Sequence, residues 1–107
     1  IGHALTYILK DIVCKSKRML GYYSPLVPGW DCHGLPIELK VSAELANEQK
    51  NNIIDRVAFK KLCREYVRRW VGIQKQELKE LGKCADYENA YYTMDASYES
   101  KIIEAFA

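Results

Sequence analysis

Two clusters of residues in this chain could do chemistry. The first is Ile1-Gly2-His3, which runs straight into an apolar-periodic helix. Free backbone N–H groups and the helix dipole favour an anion at such a start. Glycine lets a ligand approach the backbone closely, and a histidine can donate a hydrogen bond to a phosphate oxygen. The plainer reading is a helix start that carries a His, and Gly-His alone favours it. The second cluster is Pro28-Gly29-Trp30-Asp31-Cys32-His33-Gly34-Leu35-Pro36-Ile37-Glu38. It crowds turn-formers, an aromatic, a carboxylate and an imidazole into one short segment, which marks a site more than a linker. Asp31 could pair with a substrate ammonium, His33 could help position it, and Trp30 could wall an apolar pocket. The plainer readings are a turn residue for Asp31, a satisfied supporting group for His33 and core for Trp30. For Asp31 the functional reading is preferred, and for Trp30 the two are balanced.

The elements that must position these residues follow from hydrophobic spacing. Ala4, Leu5, Ile8, Leu9, Ile12, Val13, Met19 and Leu20 predict a helix over 4–20, with Gly21 as its stop. Residues 22–27 predict a short strand that Pro25 weakens, ended by Pro28-Gly29. A helix is expected from about Pro36 to Asn47, then a polar loop over Asn47 to Asn52. The longest helix is expected over Val57 to Leu81, with Asp55 as N-cap and Gly82 as stop. Its apolar stripe is Phe59, Leu62, Cys63, Tyr66, Trp70, Ile73, Leu78 and Leu81. Residues 85–94 read as irregular, and Asp95 as the cap of a last helix through Ile102, Ile103 and Phe106.

The order helix, strand, site loop, helix is half of a parallel α/β unit, and ligands of such folds bind at the carboxyl ends of strands. Asp31 lies just past such an end. One short strand has no partner to satisfy its backbone, so a strand before the first helix is expected outside this chain. The fold class is therefore α/β, mostly helical in this segment with one short strand.

The 107 residues suffice for one domain with a modest core, and 49% apolar with 28% charged residues is an ordinary soluble composition. A net charge of +2 does not by itself imply a nucleic-acid partner. Lys60, Lys61, Arg64, Arg68 and Arg69 could contact RNA phosphates, but Glu65, Glu77 and Glu80 dilute the field and favour a solvated face. Tyr87, Tyr91 and Tyr92 could stack bases; packing a connecting segment is the plainer reading. No apolar run is long enough to span a membrane, and no signal peptide is visible. Cys14, Cys32, Cys63 and Cys84 lack zinc-ligand spacing and read as reduced, mostly buried thiols of a cytoplasmic protein.

The Pro28 to Glu38 segment resembles the Pro-Gly-Trp-Asp-x-His-Gly-Leu-Pro-Ile-Glu segment of isoleucyl-tRNA synthetases, which are class I enzymes. Ile1-Gly2-His3 resembles the end of their His-Ile-Gly-His signature. Lys10-Asp11-Ile12 and Ser16-Lys17-Arg18-Met19-Leu20-Gly21-Tyr22 resemble the helix that follows it. Tyr92-Thr93-Met94-Asp95 resembles the segment leading toward the inserted editing domain. Tyr87 stands where the family pattern has Trp, and Ala90 where it has Pro; both read as drift in a connecting segment.

The resemblance implies that residues 1–107 are a segment of a Rossmann-like catalytic domain, ending near the start of the editing domain. It implies activation of isoleucine by ATP, with magnesium accompanying the nucleotide and no structural metal in this segment, then transfer to tRNA. Gly2 and His3 would bind ATP, with His3 catalytic; Asp31 would hold the isoleucine ammonium beside Gly29 and Trp30; His33 and Glu38 would support the loop. The whole protein would be a monomer without a membrane partner. The first signature His, the Lys-Met-Ser-Lys-Ser loop and the editing and anticodon-binding domains are expected outside the chain, so the segment alone is expected to be inactive. The rival reading is a stand-alone remnant that binds nucleotide, tRNA or a partner protein.

Overall fold

In a computed structural model, residues 2–47 and 55–107 are described. Four helices and two short strands follow one another: α1 (Gly2–Met19), β1 (Gly29–Trp30), α2 (Leu35–Asn47), α3 (Arg56–Glu80), β2 (Tyr91–Tyr92) and α4 (Ala96–Phe106). The helices fall close to where the apolar spacing predicts them. Two of their ends are glycine stops. Gly21 has φ 86° and Gly82 φ 77°, a region open to residues without a Cβ. Tyr22 N–H bonds to the Lys17 carbonyl at 3.1 Å, and Gly21 N–H to that of Arg18 at 2.9 Å. Lys83 N–H and Gly82 N–H repeat the pattern on Leu78 and Lys79, at 3.1 and 2.9 Å. Both are Schellman motifs that satisfy terminal carbonyls. Asp55 and Asp95 stand at the N-caps of α3 and α4 but make no side-chain capping bond; their carbonyls open the helices instead. Ile1 and most of the loop expected after Asn47 lie outside the described residues.

The strand is not where the spacing placed it. Residues 22–27 form no ladder, and the strand is Gly29–Trp30, inside the expected loop. It has a partner: β1 pairs in parallel with β2, Gly29 against Tyr91 and Trp30 against Tyr92. The stretch read as irregular therefore holds the second strand. Three carbonyls of the first segment, from Leu26, Pro28 and Trp30, accept Asp86, Tyr91 and Thr93 N–H at 2.8, 3.2 and 3.1 Å. Pro28 has no N–H to donate, which stops the ladder before Gly29; past Trp30 the Cys32 N–H turns to the Thr93 hydroxyl.

The core is thin. Trp30, Cys32, Val67, Leu78, Tyr87 and Met94 form its buried cluster, with Tyr7, Ile37, Tyr66 and Val71 packed against it. Tyr87 is thus a core residue that packs the connecting segment onto the domain, its hydroxyl donating to the Lys83 carbonyl at 3.2 Å. No large side chain is fully buried among the described residues. Most of the apolar stripe of α1 stays open, with Leu5, Leu9, Ile12 and Val13 each more than half exposed. Trp70, Ile73 and Leu81 of α3 are exposed as well. A radius of gyration of 17.5 Å exceeds the roughly 13 Å of a compact domain this size. The thiols are free, but only Cys32 is buried; Cys14 and Cys63 are half-buried and Cys84 is exposed, so the expectation of mostly buried cysteines fails with the thin core.

Polar contacts hold α1 where its apolar face does not. Asp11 is buried, accepts the Cys84 N–H at 2.9 Å and pairs with Lys15 one turn on. Lys15 also donates to the Gly82 carbonyl at 2.9 Å. Lys83 is buried with its ammonium 4.2 Å from the centre of the Tyr7 ring. These contacts tie α1 to the end of α3. Burial pushes the Asp11 carboxyl up, but the Lys15 hydrogen bond, the Cys84 N–H and the charges of Lys15 and Arg18 outweigh it and hold the pKa below the usual range. The folded state thus favours the carboxylate. Its stabilisation is present above about pH 4, where the unfolded group also ionises, and is lost as pH falls through the lower folded-state value. Asp11→Asn is expected to cost about 1–3 kcal/mol in urea unfolding at neutral pH and to flatten the acid side of the stability profile.

Candidate functional site

Pairing β1 with β2 sets the Asp31 loop against Thr93. Cys32 N–H donates to the Thr93 hydroxyl at 2.8 Å, and that hydroxyl lies 3.4 Å from Asp31 Oδ1. His33 N–H lies 3.4 Å from the same oxygen. The His33 ring Nε2 meets the Thr93 carbonyl at 3.0 Å and lies 3.6 Å from Glu99, which also takes the Arg64 guanidinium at 3.1 Å. Behind the loop, Trp30 stacks on Tyr92 with ring centres 5.6 Å apart, and its indole N–H donates to Gln74 Oε1 at 3.1 Å. Gly34, at φ 117°, ends the loop, and its carbonyl opens α2 by accepting Ile37 N–H.

Asp31 is exposed and Trp30 buried, and both line a cavity of about 270 Å³ with Pro36, Ile37, Lys40 and Gln74. His3 stands exposed in the first turn of α1 and lines a separate cleft of about 480 Å³ with Tyr7, Gln74 and Glu77. Gln74 borders both, so the two sequence clusters open onto adjoining spaces on one side of α3. Gly2 is exposed with open space where a Cβ would stand. Gly29 is the opposite: a Cβ there would overlap the Tyr91 ring. Glu38, on the first turn of α2, lines a third cavity with Cys32, His33 and Cys63. Burial, with the Glu38 charge second, pushes the Cys63 thiol up.

Thr93 and Gln74 were not legible as site residues. Gln74 carries no sequence signal among the glutamates and lysines of α3. The aromatic run before Thr93 does favour a strand, and that signal could have found it. The basic run on α3 is partly consumed: Arg64 pairs with Glu99, and Arg69 with Glu44 at 3.2 Å. No group of three or more His, Cys, Asp or Glu that could hold a metal stands among the described residues. None of the described helices is long and apolar enough to cross a membrane.

A family profile described as tRNA synthetases class I (I, L, M and V) matches residues 1–107. The chain belongs to that family. It is similar to an isoleucine–tRNA ligase of Brachyspira hyodysenteriae, 47% identical over all 107 residues. It is 49% identical over 100 residues to an isoleucine–tRNA ligase of Desulfovibrio desulfuricans, and 49% over 106 to one of Pasteurella multocida. These alignments cover 100%, 94% and 99% of this chain but only 11%, 10% and 11% of the relatives. The chain thus spans about a tenth of the length of the synthetases it matches. No solved structure matches.

The Gly29 backbone is pressed against the Tyr91 ring, with no room for a Cβ. Gly29→Ala is expected to destabilise the segment by about 1–3 kcal/mol, the usual range for overpacking. Tyr91→Ala in the same chain should recover part of that loss, read as a coupling energy in a double-mutant unfolding cycle.

Proposed function

We propose that this chain is a segment of the Rossmann-like catalytic domain of an isoleucine–tRNA ligase, ending near the inserted editing domain. The observation that carries the reading is the 47% identity to an isoleucine–tRNA ligase along the entire chain. The parallel β1–β2 pair with helices following β1 supports the Rossmann-like part of it.

The reaction begins with an isoleucine carboxylate oxygen attacking the α-phosphorus of ATP. A bond forms to that phosphorus, the bond to the bridging oxygen breaks, and pyrophosphate leaves with its electron pair. A hydroxyl at the 3′ end of the tRNA then attacks the isoleucyl carbonyl, the mixed-anhydride bond breaks, and AMP leaves. Asp31 holds the isoleucine ammonium as a charge-assisted pair, with Gly29 and Trp30 shaping the floor beside it. Gly2 lies against the adenine. His3, at the N-terminus of α1, donates to the triphosphate as charge builds in the transition state. The chain's contribution is electrostatic stabilisation and positioning. His33 and Glu38 support the loop. Magnesium would accompany the triphosphate as part of the substrate and neutralise part of its charge. The remaining clamp on the phosphates comes from a Lys-Met-Ser-Lys-Ser loop outside these residues, so this segment alone does not charge tRNA. The whole protein is a cytoplasmic monomer in this reading.

The test is isoleucine-dependent exchange of pyrophosphate into ATP by the full-length protein. Asp31→Asn is expected to raise the KM for isoleucine by about 100-fold, the cost of about 2.7 kcal/mol for losing one charged partner. The KM for ATP should stay within about two-fold, because the carboxylate is assigned to the amino acid alone. Exchange with the variant at the unmodified enzyme's isoleucine KM would remove Asp31 from the role.

A further inference from the structure

We propose that Thr93 is the positioning residue for the Asp31 carboxylate, acting from β2 across the strand pair. The inference rests on the reading of Asp31 given above and adds a residue to it.

The geometry around Thr93 is over-determined. Its N–H donates to the Trp30 carbonyl at 3.1 Å. Its hydroxyl oxygen accepts the Cys32 N–H at 2.8 Å. Its carbonyl meets the His33 ring at 3.0 Å. One threonine therefore touches Trp30 at the start of the site loop and both Cys32 and His33 within it.

The hydroxyl has a single hydrogen. Cys32 N–H can only donate, so it occupies a lone pair and leaves that hydrogen free. The acceptor within reach is Asp31 Oδ1, at 3.4 Å. An ionised carboxylate can only accept, so the direction of the bond is fixed. His33 N–H approaches the same oxygen at 3.4 Å. Both protein contacts fall on Oδ1, and Oδ2 has no hydrogen-bond partner among the described residues. Thr93 thus sets the rotation of the carboxylate, with its second oxygen available to an incoming ammonium. The 3.4 Å separation is long for an O–H···O bond. It can shorten when the carboxylate takes up its ligand, as site hydrogen bonds often do.

Serine keeps the hydroxyl and loses one methyl; valine keeps the shape and loses the hydroxyl; alanine loses both without overpacking. In the full-length protein, Thr93→Val and Thr93→Ala are expected to raise the isoleucine KM about ten-fold, equivalent to about 1.4 kcal/mol, in pyrophosphate exchange. The KM for ATP should stay within about two-fold, and Thr93→Ser should recover most of the loss. A role in packing alone would give a different pattern: both KM values move together, or serine fails to rescue. Either result overturns the proposal, as does an unchanged isoleucine KM in the valine and alanine variants. Failure of both to fold, judged by circular dichroism, assigns Thr93 to the scaffold and overturns it too. Absence of isoleucine-dependent exchange in the unmodified protein would instead overturn the reading of the activity on which the proposal stands.

Discussion

Four strand residues carry the site. Gly29 and Trp30 lie in parallel against Tyr91 and Tyr92, and the loop with Asp31 leaves the end of that pair. Residues sixty positions apart are thereby brought within hydrogen-bond distance. Without the pairing, Thr93 could not reach Cys32 or Asp31, and Trp30 would lose Tyr92 as its stacking partner. A two-residue ladder is weak by itself. It persists here because flanking bonds extend it, from Leu26 to Asp86 and from Trp30 to Thr93, and because the Trp30 indole is tied to Gln74 of α3.

The same economy governs α1. Its apolar stripe is largely open, so burial does little to orient it. The orientation comes from Asp11 on the Cys84 N–H, Lys15 on the Gly82 carbonyl and Lys83 against Tyr7. All three land where α3 ends at its glycine stop. The helix that presents Gly2 and His3 is thus registered to the helix that carries Gln74. This is how two short motifs, separated in sequence by a helix, come to border adjoining spaces. Chains that bury little apolar area rely more heavily on such polar fastening, because each bond must offset the entropy of ordering its partners.

The helices were legible in the sequence because their signals are local. Apolar residues recur at helical spacing, and Gly21 and Gly82 mark real stops with left-handed backbone. The sheet was not. Pro25 and Pro28 obscured which residues could pair, and a parallel partner sixty residues away leaves no trace in local pattern. The site divided the same way. Asp31, His33 and Trp30 announced themselves through residue type and the glycines and prolines around them. Thr93 and Gln74 act through tertiary contacts, and Thr93 lies in the stretch 85–94 that reads as irregular. The apolar stripes on α1 and α3 stay largely exposed, since periodicity reports an amphipathic face and not what covers it.

In the proposed site Asp31 receives an amino-acid ammonium while His3 faces the phosphates of a nucleotide. A crystal structure of the full-length protein with a non-hydrolysable isoleucyl-adenylate analogue tests it directly. The analogue's ammonium is expected about 3 Å from the Asp31 carboxylate, with its phosphate mimic beside His3 and the first turn of α1. An analogue bound with its ammonium away from Asp31, or with its phosphate mimic away from His3, would contradict it.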